Sequence, residues 1–235
     1  MTSGMWTDDM PGNNRLVIVG AGEFAEIAYE YFTHDSRYTV VAFSVEEAFL
    51  QKQSLNGLPV VPLEQLADAY PPADVTVFVA VTYTKLNTVR ERLYRSLKEQ
   101  GYGFARYVSS QAFVWHTATI GDNVFIFENN VVQHGARIGN DVVLWSGNHI
   151  GHQSVVEDHC YLASHIVVSG YCRIGENSFV GVNVTFADHV EVGKDCLIGA
   201  GALIRANVPD DTIVPGEASK PASVSSRRFH KVPKR

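Results

Sequence analysis

The most regular feature of the chain is a six-residue spacing of apolar residues in its C-terminal half. Every sixth residue from Val108 to Ile204 is apolar, which makes seventeen consecutive repeats. Most of these residues are β-branched, and the residue four places further on is mostly small. A period of six does not fit a helix of 3.6 residues per turn, whereas it is typical of a solenoid with one short strand per repeat. The pattern predicts a parallel β-helix over residues 108–209.

Residues 15–107 have a different pattern, in which short apolar strands alternate with amphipathic helices. Strands are predicted at residues 15–19, 38–43 and 75–81, and helices at residues 26–32 and 85–100. This alternation predicts a small, parallel α/β domain ahead of the β-helix. Residues 1–14 are predicted to be a disordered N-terminus, and residues 210–235 a C-terminal tail.

A glycine-rich loop links the first strand to the first helix of this α/β domain. Its spacing, Gly-x-Gly-x-x-Ala from Gly20 to Ala25, leaves backbone N–H groups and a helix N-terminus where a phosphate would bind. A nicotinamide dinucleotide would call for an acidic residue after the second strand, where the chain has Ser44-Val45. A nucleotide-linked substrate and a purely structural turn remain the other interpretations. The expected nucleotide contacts are Gly20, Gly22, Glu23, Phe24, Ser44, Thr82 and Tyr83.

Net charge and composition exclude some classes of binding partner and indicate a cellular location. The net charge is −6 without a basic block, which argues against nucleic acid or an anionic membrane as the main partner. No apolar run approaches 18 residues, and residues 1–14 are too polar for a signal peptide, so we expect a cytoplasmic protein. The three cysteines, Cys160, Cys172 and Cys196, fall at interior repeat positions and are expected to be core residues.

The repeats resemble those of a known family. Hexads of the form [Ile/Leu/Val]-Gly-x-x-small-x are similar to the left-handed β-helix of the hexapeptide-repeat acyltransferases. Together with the opening Val-Gly-Ala-Gly-Glu-Phe-Ala-Glu from Val19, the chain from Arg15 to about Lys220 resembles the bacterial sugar O-acyltransferase family. This family includes sialic acid O-acetyltransferases and N-acetyltransferases of UDP-, dTDP- or GDP-linked 4-amino-4,6-dideoxysugars.

This resemblance implies an activity and an assembly. The N-terminal domain would be Rossmann-like and hold a nucleotide-linked sugar, the β-helix would hold acetyl-CoA, and no metal would be needed. Homotrimers with active sites between subunits would be expected, working in cell-surface polysaccharide biosynthesis. The expected acetyl-CoA contacts are Gly170, Gly181, Gly199 and Lys220. Arg227 and Arg228 could also meet CoA phosphates, although a basic tail is more often simply solvated.

Three histidines, His116, His134 and His152, occupy the third hexad position at intervals of 18 residues, so they should stack in one column. His152 lies in a segment that resembles the one carrying the family's catalytic histidine. Neutral imidazole has a pKa near 6.5 and suits a general base that takes a proton from the acceptor amine. Gly170 follows His152 in the column, and we expect it to offer its backbone N–H to the oxyanion.

One position departs from the family pattern. Relatives usually carry Asp or Glu directly after the catalytic histidine, whereas this chain has Gln153. A neutral amide cannot stabilise imidazolium as a carboxylate does, so Asp158 or a partner chain could supply the acid, or the base is weak. A weak base favours N- over O-acylation, because an amine is already nucleophilic. His149, in the sixth hexad position, is expected to face outward near a corner close to His152, as the competing base or as a substrate contact. Trp145 is expected to point outward, to a neighbouring subunit or to the substrate.

Two further classes of function compete with acyl transfer. Trimeric β-helices of this type also include γ-class carbonic anhydrases, zinc lyases whose metal is held by histidines of two chains. Histidines stacked in one column form a ladder instead of a tetrahedral cage, and a lyase of that kind would have no use for the α/β domain. A non-catalytic scaffold that binds sugar nucleotides is the other alternative, and it would have no affinity for acetyl-CoA.

Overall fold

The computed structural model of the protein describes residues 14–216 and 218–233. The predicted disordered segment, residues 1–14, lies outside the described residues except for Asn14. Among the described residues no helix is long and apolar enough to cross a membrane.

The N-terminal part is one six-stranded sheet with helices packed against it. Its strand order is β3-β4-β2-β1-β5-β6, and every pairing is parallel except the hairpin between β3 and β4. The strands are β1 (Arg15–Val19), β2 (Thr39–Val45), β3 (Ser54–Leu55), β4 (Leu58–Pro62), β5 (Thr76–Val79) and β6 (Gly103–Phe104). The helices are α1 (Glu23–His34), α2 (Leu66–Ala69) and α3 (Thr88–Glu99), with 3₁₀ turns at Glu47–Phe49 and Leu63–Gln65.

Most boundaries differ by one to three residues from those predicted, and two of these differences bear on the candidate site. Strand β2 continues past the predicted end at residue 43 to Val45, because its last residues pair in parallel with β4, a strand of the β3–β4 hairpin that sequence reasoning missed. Helix α3 begins at Thr88 instead of residue 85, because the three residues before it have positive φ angles. The last of these, Asn87, is buried, and its side-chain amide donates to the carbonyl of Asn177 at 2.8 Å.

The C-terminal part is a triangular parallel β-helix. Each of the seventeen apolar residues predicted from the hexads is the second residue of a two-residue strand, and paired strands are 18 residues apart. Stacked parallel sheets of this kind fit the predicted left-handed β-helix. The strands are β7 (Tyr107–Val108), β8 (Phe113–Val114), β9 (Thr119–Ile120), β10 (Phe125–Ile126), β11 (Val131–Val132), β12 (Arg137–Ile138), β13 (Val143–Leu144), β14 (His149–Ile150), β15 (Val155–Val156), β16 (Tyr161–Leu162), β17 (Val167–Val168), β18 (Arg173–Ile174), β19 (Phe179–Val180), β20 (Thr185–Phe186), β21 (Glu191–Val192), β22 (Leu197–Ile198) and β23 (Leu203–Ile204). Strand β24 (Ile213–Val214) closes one sheet, and the short helix α4 (Ser226–Phe229) lies in the exposed tail.

The inside of the prism is mostly apolar, although Asn130, Asn148, Ser154 and Ser178 are also buried there. The second residues of the strands and most of the other small hexad residues form one apolar cluster, which includes all three cysteines as free thiols. Their expected place in the core is confirmed, and burial raises the pKa of each thiol. Thiols of this kind are packing residues without nucleophilic reactivity.

The three faces of the prism differ in what their outward residues meet. On the covered face (β7, β10, β13, β16, β19, β22 and β24), the side chains of Tyr107, Phe125 and Tyr161 are buried, mainly against the α/β part. On the apolar face (β8, β11, β14, β17, β20 and β23), Val167 and Leu203 are 40% and 63% exposed. The outward residues of the charged face (β9, β12, β15, β18 and β21) are mostly polar or charged.

Candidate active site

The loop after β1 requires glycine at its first position. Gly20 has a φ of +136°, and its N–H donates to the carbonyl of Ser44 at 2.7 Å. A Cβ at this position would lie 2.6 Å from the carbonyl oxygen of Ala80, which begins the loop after β5. The loop can therefore pass between the ends of β2 and β5 only with glycine at this point.

Helix α1 presents an uncapped N-terminus beside this loop. Gly22 is its N-cap residue, and no side chain there binds the first-turn N–H groups. Such groups and the helix dipole favour an anionic group at this end. A cleft of about 420 Å³ opens at the same point. Of the residues predicted to bind the nucleotide, the cleft is lined by Gly20, Gly22, Glu23, Phe24 and Thr82.

Two predicted nucleotide contacts lie elsewhere. Ser44 is fully buried and does not line the cleft, because its position in β2 turns its side chain into the protein. Its hydroxyl has no hydrogen-bond partner among the described residues. Tyr83 lies beyond the cleft and lines a second cavity against the covered face of the β-helix.

An acidic residue does follow the second strand, contrary to the sequence interpretation. Strand β2 ends at Val45, and Glu46 is the next residue and lines the cleft. Its two carboxylate oxygens accept from the guanidinium of Arg92, each at 2.9 Å, and this bonding raises the pKa of Arg92. Glu46 was missed because the strand was predicted to end two residues too early.

The second cavity brings together Tyr83, Trp145 and Gly181. The Tyr83 ring lies 4.5 Å from the ring of Phe179 and 5.1 Å from that of Tyr161. Burial raises the pKa of the Tyr161 hydroxyl to about 12, and the indole N–H of Trp145 donates to its oxygen. Because Thr82 lines the first cleft and Tyr83 the second, the loop after β5 links the two.

Trp145 points out of the prism, as expected, but its contacts lie within its own chain. Its ring stacks on Phe127 at 4.4 Å and lies 6.4 Å from the ring of Phe24 in α1. The indole therefore packs against the α/β part of its own chain, which covers this face. The edge that remains open faces the cavity shared with Tyr83.

His152 lies at a corner of the prism, with Gly170 directly beneath it. The side chain is exposed, and its backbone N–H donates to the amide oxygen of Gln133 at 3.0 Å. A Cβ on Gly170 would lie 2.5 Å from Cε1 and 2.7 Å from Nε2 of the imidazole. The ring can take this position only because residue 170 has no side chain. Tyr171 packs against the same ring edge-to-face at 5.1 Å.

The expected oxyanion donor is already engaged. The backbone N–H of Gly170 donates to the carboxylate of Asp188 at 2.9 Å. Asp188 follows Gly170 in the column, so its carboxylate reaches back one coil to the N–H. Since that hydrogen would have to leave a charged acceptor, Gly170 is not the free donor that we expected.

The residues considered as partners or rivals of His152 lie apart from its ring. The side-chain amide of Gln153 lies over Gly135. A Cβ added to Gly135 would lie 2.5 Å from the amide nitrogen of Gln153. Asp158 accepts from the backbone N–H of Asn140 at 2.8 Å, at another corner of the prism. His149 begins strand β14 on the apolar face, instead of lying near the corner as expected, because the sixth hexad position opens each strand.

The other three predicted acetyl-CoA contacts are Gly181, Gly199 and Lys220, and their surroundings differ from those of Gly170. A Cβ on Gly181 would lie 2.7 Å from the backbone nitrogen of Ala200, and Gly199 is similarly close to the backbone of Gly216. Both positions therefore require glycine for coil packing, whether or not a ligand binds. Lys220 is exposed in the tail, and the described residues make no hydrogen bond or ion pair with it.

A buried polar cluster joins α3 to the β-helix. Arg90 has no exposed surface, and its Nε donates to Asp141 at 3.0 Å. Asp141 also bonds Nδ1 of His159 at 2.8 Å and the amide of Asn123 at 2.6 Å. His159 occupies the fourth hexad position, at a corner of the prism. It is buried because α3 covers that corner.

The column histidines do not form a metal-binding group in the described part of the chain. One group of three potential ligands there has atoms within 4.8 Å of one another, namely Glu91, His159 and Glu176. The guanidinium of Arg95 contacts both carboxylates, at 2.7 Å and 3.2 Å. These carboxylates are therefore already balanced by a cation of the protein.

Known proteins share this architecture over nearly the whole chain. The family model of the GMPPB C-terminal domain matches residues 105–214. No curated protein sequence matches the chain. Among solved structures, the acetyltransferase domain of PglB from Neisseria gonorrhoeae, in complex with acetyl coenzyme A, is 25% identical with a TM-score of 0.78. The match covers 90% of this chain and all of that domain, 100%.

Two further solved structures resemble the chain. One is a histidine-to-asparagine variant of perosamine N-acetyltransferase from Caulobacter crescentus, in complex with CoA and GDP-perosamine. It is 22% identical with a TM-score of 0.78, over 88% of this chain and 94% of that one. The other is WeeI from Acinetobacter baumannii AYE, 21% identical with a TM-score of 0.69, over 86% and 96%. The resemblance to hexapeptide-repeat sugar acetyltransferases is confirmed.

Proposed function

We propose that the protein is an acetyl-CoA-dependent acetyltransferase that N-acetylates a nucleotide-linked amino sugar, with a 4-amino-4,6-dideoxyhexose as the expected acceptor. The observation that carries this proposal is the full-length likeness to the PglB acetyltransferase domain in complex with acetyl coenzyme A. The uncapped N-terminus of α1 adds support, because it suits the diphosphate of a nucleotide-sugar. In this function the N-terminal part acts as a Rossmann-like nucleotide-sugar domain of a cytoplasmic enzyme.

The proposed reaction is direct attack of the sugar amine on the thioester carbonyl. As the C–N bond forms, His152 takes the proton of the amine. Collapse of the tetrahedral intermediate breaks the C–S bond, and the proton passes to the CoA thiolate. Neutral imidazole is the form required for the first step, and the exposed corner leaves its ring open to substrate. Within residues 14–216 and 218–233 no carboxylate hydrogen-bonds this ring, which favours an amine acceptor over a less nucleophilic hydroxyl.

We propose that the apolar face binds other copies of this chain. Val167 and Leu203 leave apolar side chains in water along a face where the α/β part gives no cover. Apolar patches of this kind mark interfaces between subunits. His149 lies on the same face and His152 at a corner of the prism, so a homotrimer would place the catalytic corner near a subunit boundary.

We expect the double variant Val167→Glu/Leu203→Glu to be monomeric, because buried carboxylates without partners would oppose association. Light scattering coupled to gel filtration measures the mass of the assembly. The matched control is Thr119→Glu, an exposed residue on the charged face, which should leave the mass unchanged. A wild-type monomer, or a trimer in the double variant, would contradict the proposed homotrimer.

The substrate class is tested with a panel of UDP-, dTDP- and GDP-linked 4-amino sugars and acetyl-CoA. We expect one or more of them to release free CoA thiol, and release should persist in the presence of a chelator. The product should carry an amide in place of the amine, as mass spectrometry would show. If no amino sugar supports release but sialic acid does, the protein is an O-acetyltransferase instead.

A further inference from the structure

Tyr171 has a backbone conformation that suits tyrosine poorly. Eleven non-glycine residues of the β-helix have positive φ, at the fourth hexad position or its equivalent, and ten are Asn, Asp, Gln or His. Short polar side chains tolerate this left-handed region because they can hydrogen-bond locally. Tyr171, with a φ of +58°, is the exception. It is also 53% exposed, so burial does little to offset the unfavourable conformation.

Tyr171 contacts His152, the candidate general base. Its ring packs edge-to-face against His152 at 5.1 Å, and it stacks on His189 at 5.0 Å with only 5° between the planes. The backbone N–H of Tyr171 donates to the carbonyl of His152 at 3.0 Å. One tyrosine therefore holds both the main chain and the ring of His152. Within the described residues, the ring makes no hydrogen bond of its own.

A general base needs its ring held in one orientation. In most sites, a carboxylate or carbonyl fixes the imidazole by a hydrogen bond. Here the adjacent Gln153 is turned towards Gly135, and Asp188 is bonded to Gly170. Gly170 leaves room for the ring in this position, and the aromatic ring of Tyr171 packs against it.

We propose that Tyr171 is a positioning residue for His152, and that its ring takes over the orienting role which a carboxylate plays after other catalytic histidines. His189 supports it from the far side by stacking. The ring carries this role, since the contacts are between aromatic planes and the hydroxyl makes no hydrogen bond to His152. The proposal deepens the proposed function and rests on it for its catalytic consequence.

Three variants separate orientation from folding. Tyr171→Asn removes the ring and suits the left-handed corner, so we expect an unchanged or higher Tm with kcat lowered about tenfold, part of what a general base contributes. KM for both substrates should stay within about twofold, since no substrate contact is removed. Tyr171→Phe keeps the ring and should keep kcat. His165→Asn is the matched control, at an equivalent corner with a φ of +59° on another edge.

A measurement without substrate tests the contact itself. The NMR signal of the His152 Cε1–H, assigned by its loss in His152→Ala, should shift in Tyr171→Asn and stay in place in His165→Asn. An unmoved signal, a wild-type kcat in Tyr171→Asn, or an equal loss in Tyr171→Phe would each overturn the proposal. If the wild-type protein transfers no acetyl group to any sugar, the proposed function fails, while this signal still reports whether Tyr171 orients His152.

Discussion

Replacing His152 with alanine should lower kcat for acetyl transfer by about 100-fold or more, because a positioned base contributes roughly that much to proton transfer. The fold should be unaffected, since the ring is exposed and makes no hydrogen bond to the part of the chain that the structure describes. The release of CoA thiol measures turnover, and thermal unfolding checks the fold. His152→Asn should behave in the same way, because an amide cannot accept the proton.

A second histidine of the same column, His134, provides the control for His152→Ala. His134 occupies the equivalent position one coil earlier, where its Nδ1 bonds the hydroxyl of Thr117 at 2.7 Å. His134→Ala changes the same side chain on the same edge, so it should keep near-normal turnover. His149→Ala tests the competing candidate on the apolar face. Near wild-type turnover in His152→Ala, or an equal loss in His134→Ala, would exclude His152 as the base.

The β-helix could be predicted residue by residue because its pattern is local. Each hexad contributes one inward apolar side chain and one small one, so periodicity alone locates Val108 through Ile204 in their strands. The same counting placed Gly170 beneath His152. Hydrogen bonds along the column, such as that from Gly170 to Asp188, depend on side-chain rotamers that no period encodes.

The features that sequence reasoning missed depend on tertiary contacts, most of them between the two halves of the chain. His159 has the hexad position of a solvated corner, yet α3 lies over it and buries it. Trp145 has an outward position, yet the aromatic residues of α1 cover it. Glu46 directly follows β2, and the end of β2 is set by its pairing with β4, which the sequence pattern did not predict. Periodicity assigns a face to each residue, whereas the packing of the α/β part decides which of those faces meets water.

Arg90 is the residue whose loss should most reduce stability. It is fully buried, and its guanidinium donates to the carbonyls of His159 and Asp141 at 2.8 Å and 3.0 Å, in addition to the Asp141 carboxylate. One side chain of α3 thus binds successive coils of the β-helix. Breaking a buried pair by removing one partner leaves an uncompensated charge, which costs about 3–5 kcal/mol.

We therefore expect Arg90→Met to lower the free energy of unfolding by about 3–5 kcal/mol, measured by denaturant titration at fixed protein concentration. Arg92→Met is the matched control, two residues along the same helix, since its ion pair with Glu46 is largely solvated and should contribute at most about 1 kcal/mol. The double variant Arg90→Met/Asp141→Asn also removes the carboxylate that Arg90 would have paired with. Asparagine at position 141 tolerates the positive φ of that residue. The double variant should therefore be more stable than Arg90→Met alone, and adding the single variant Asp141→Asn completes the cycle that measures the coupling between the two charges. Equal losses for Arg90→Met and Arg92→Met would mean that burial of this pair does not hold α3 to the β-helix.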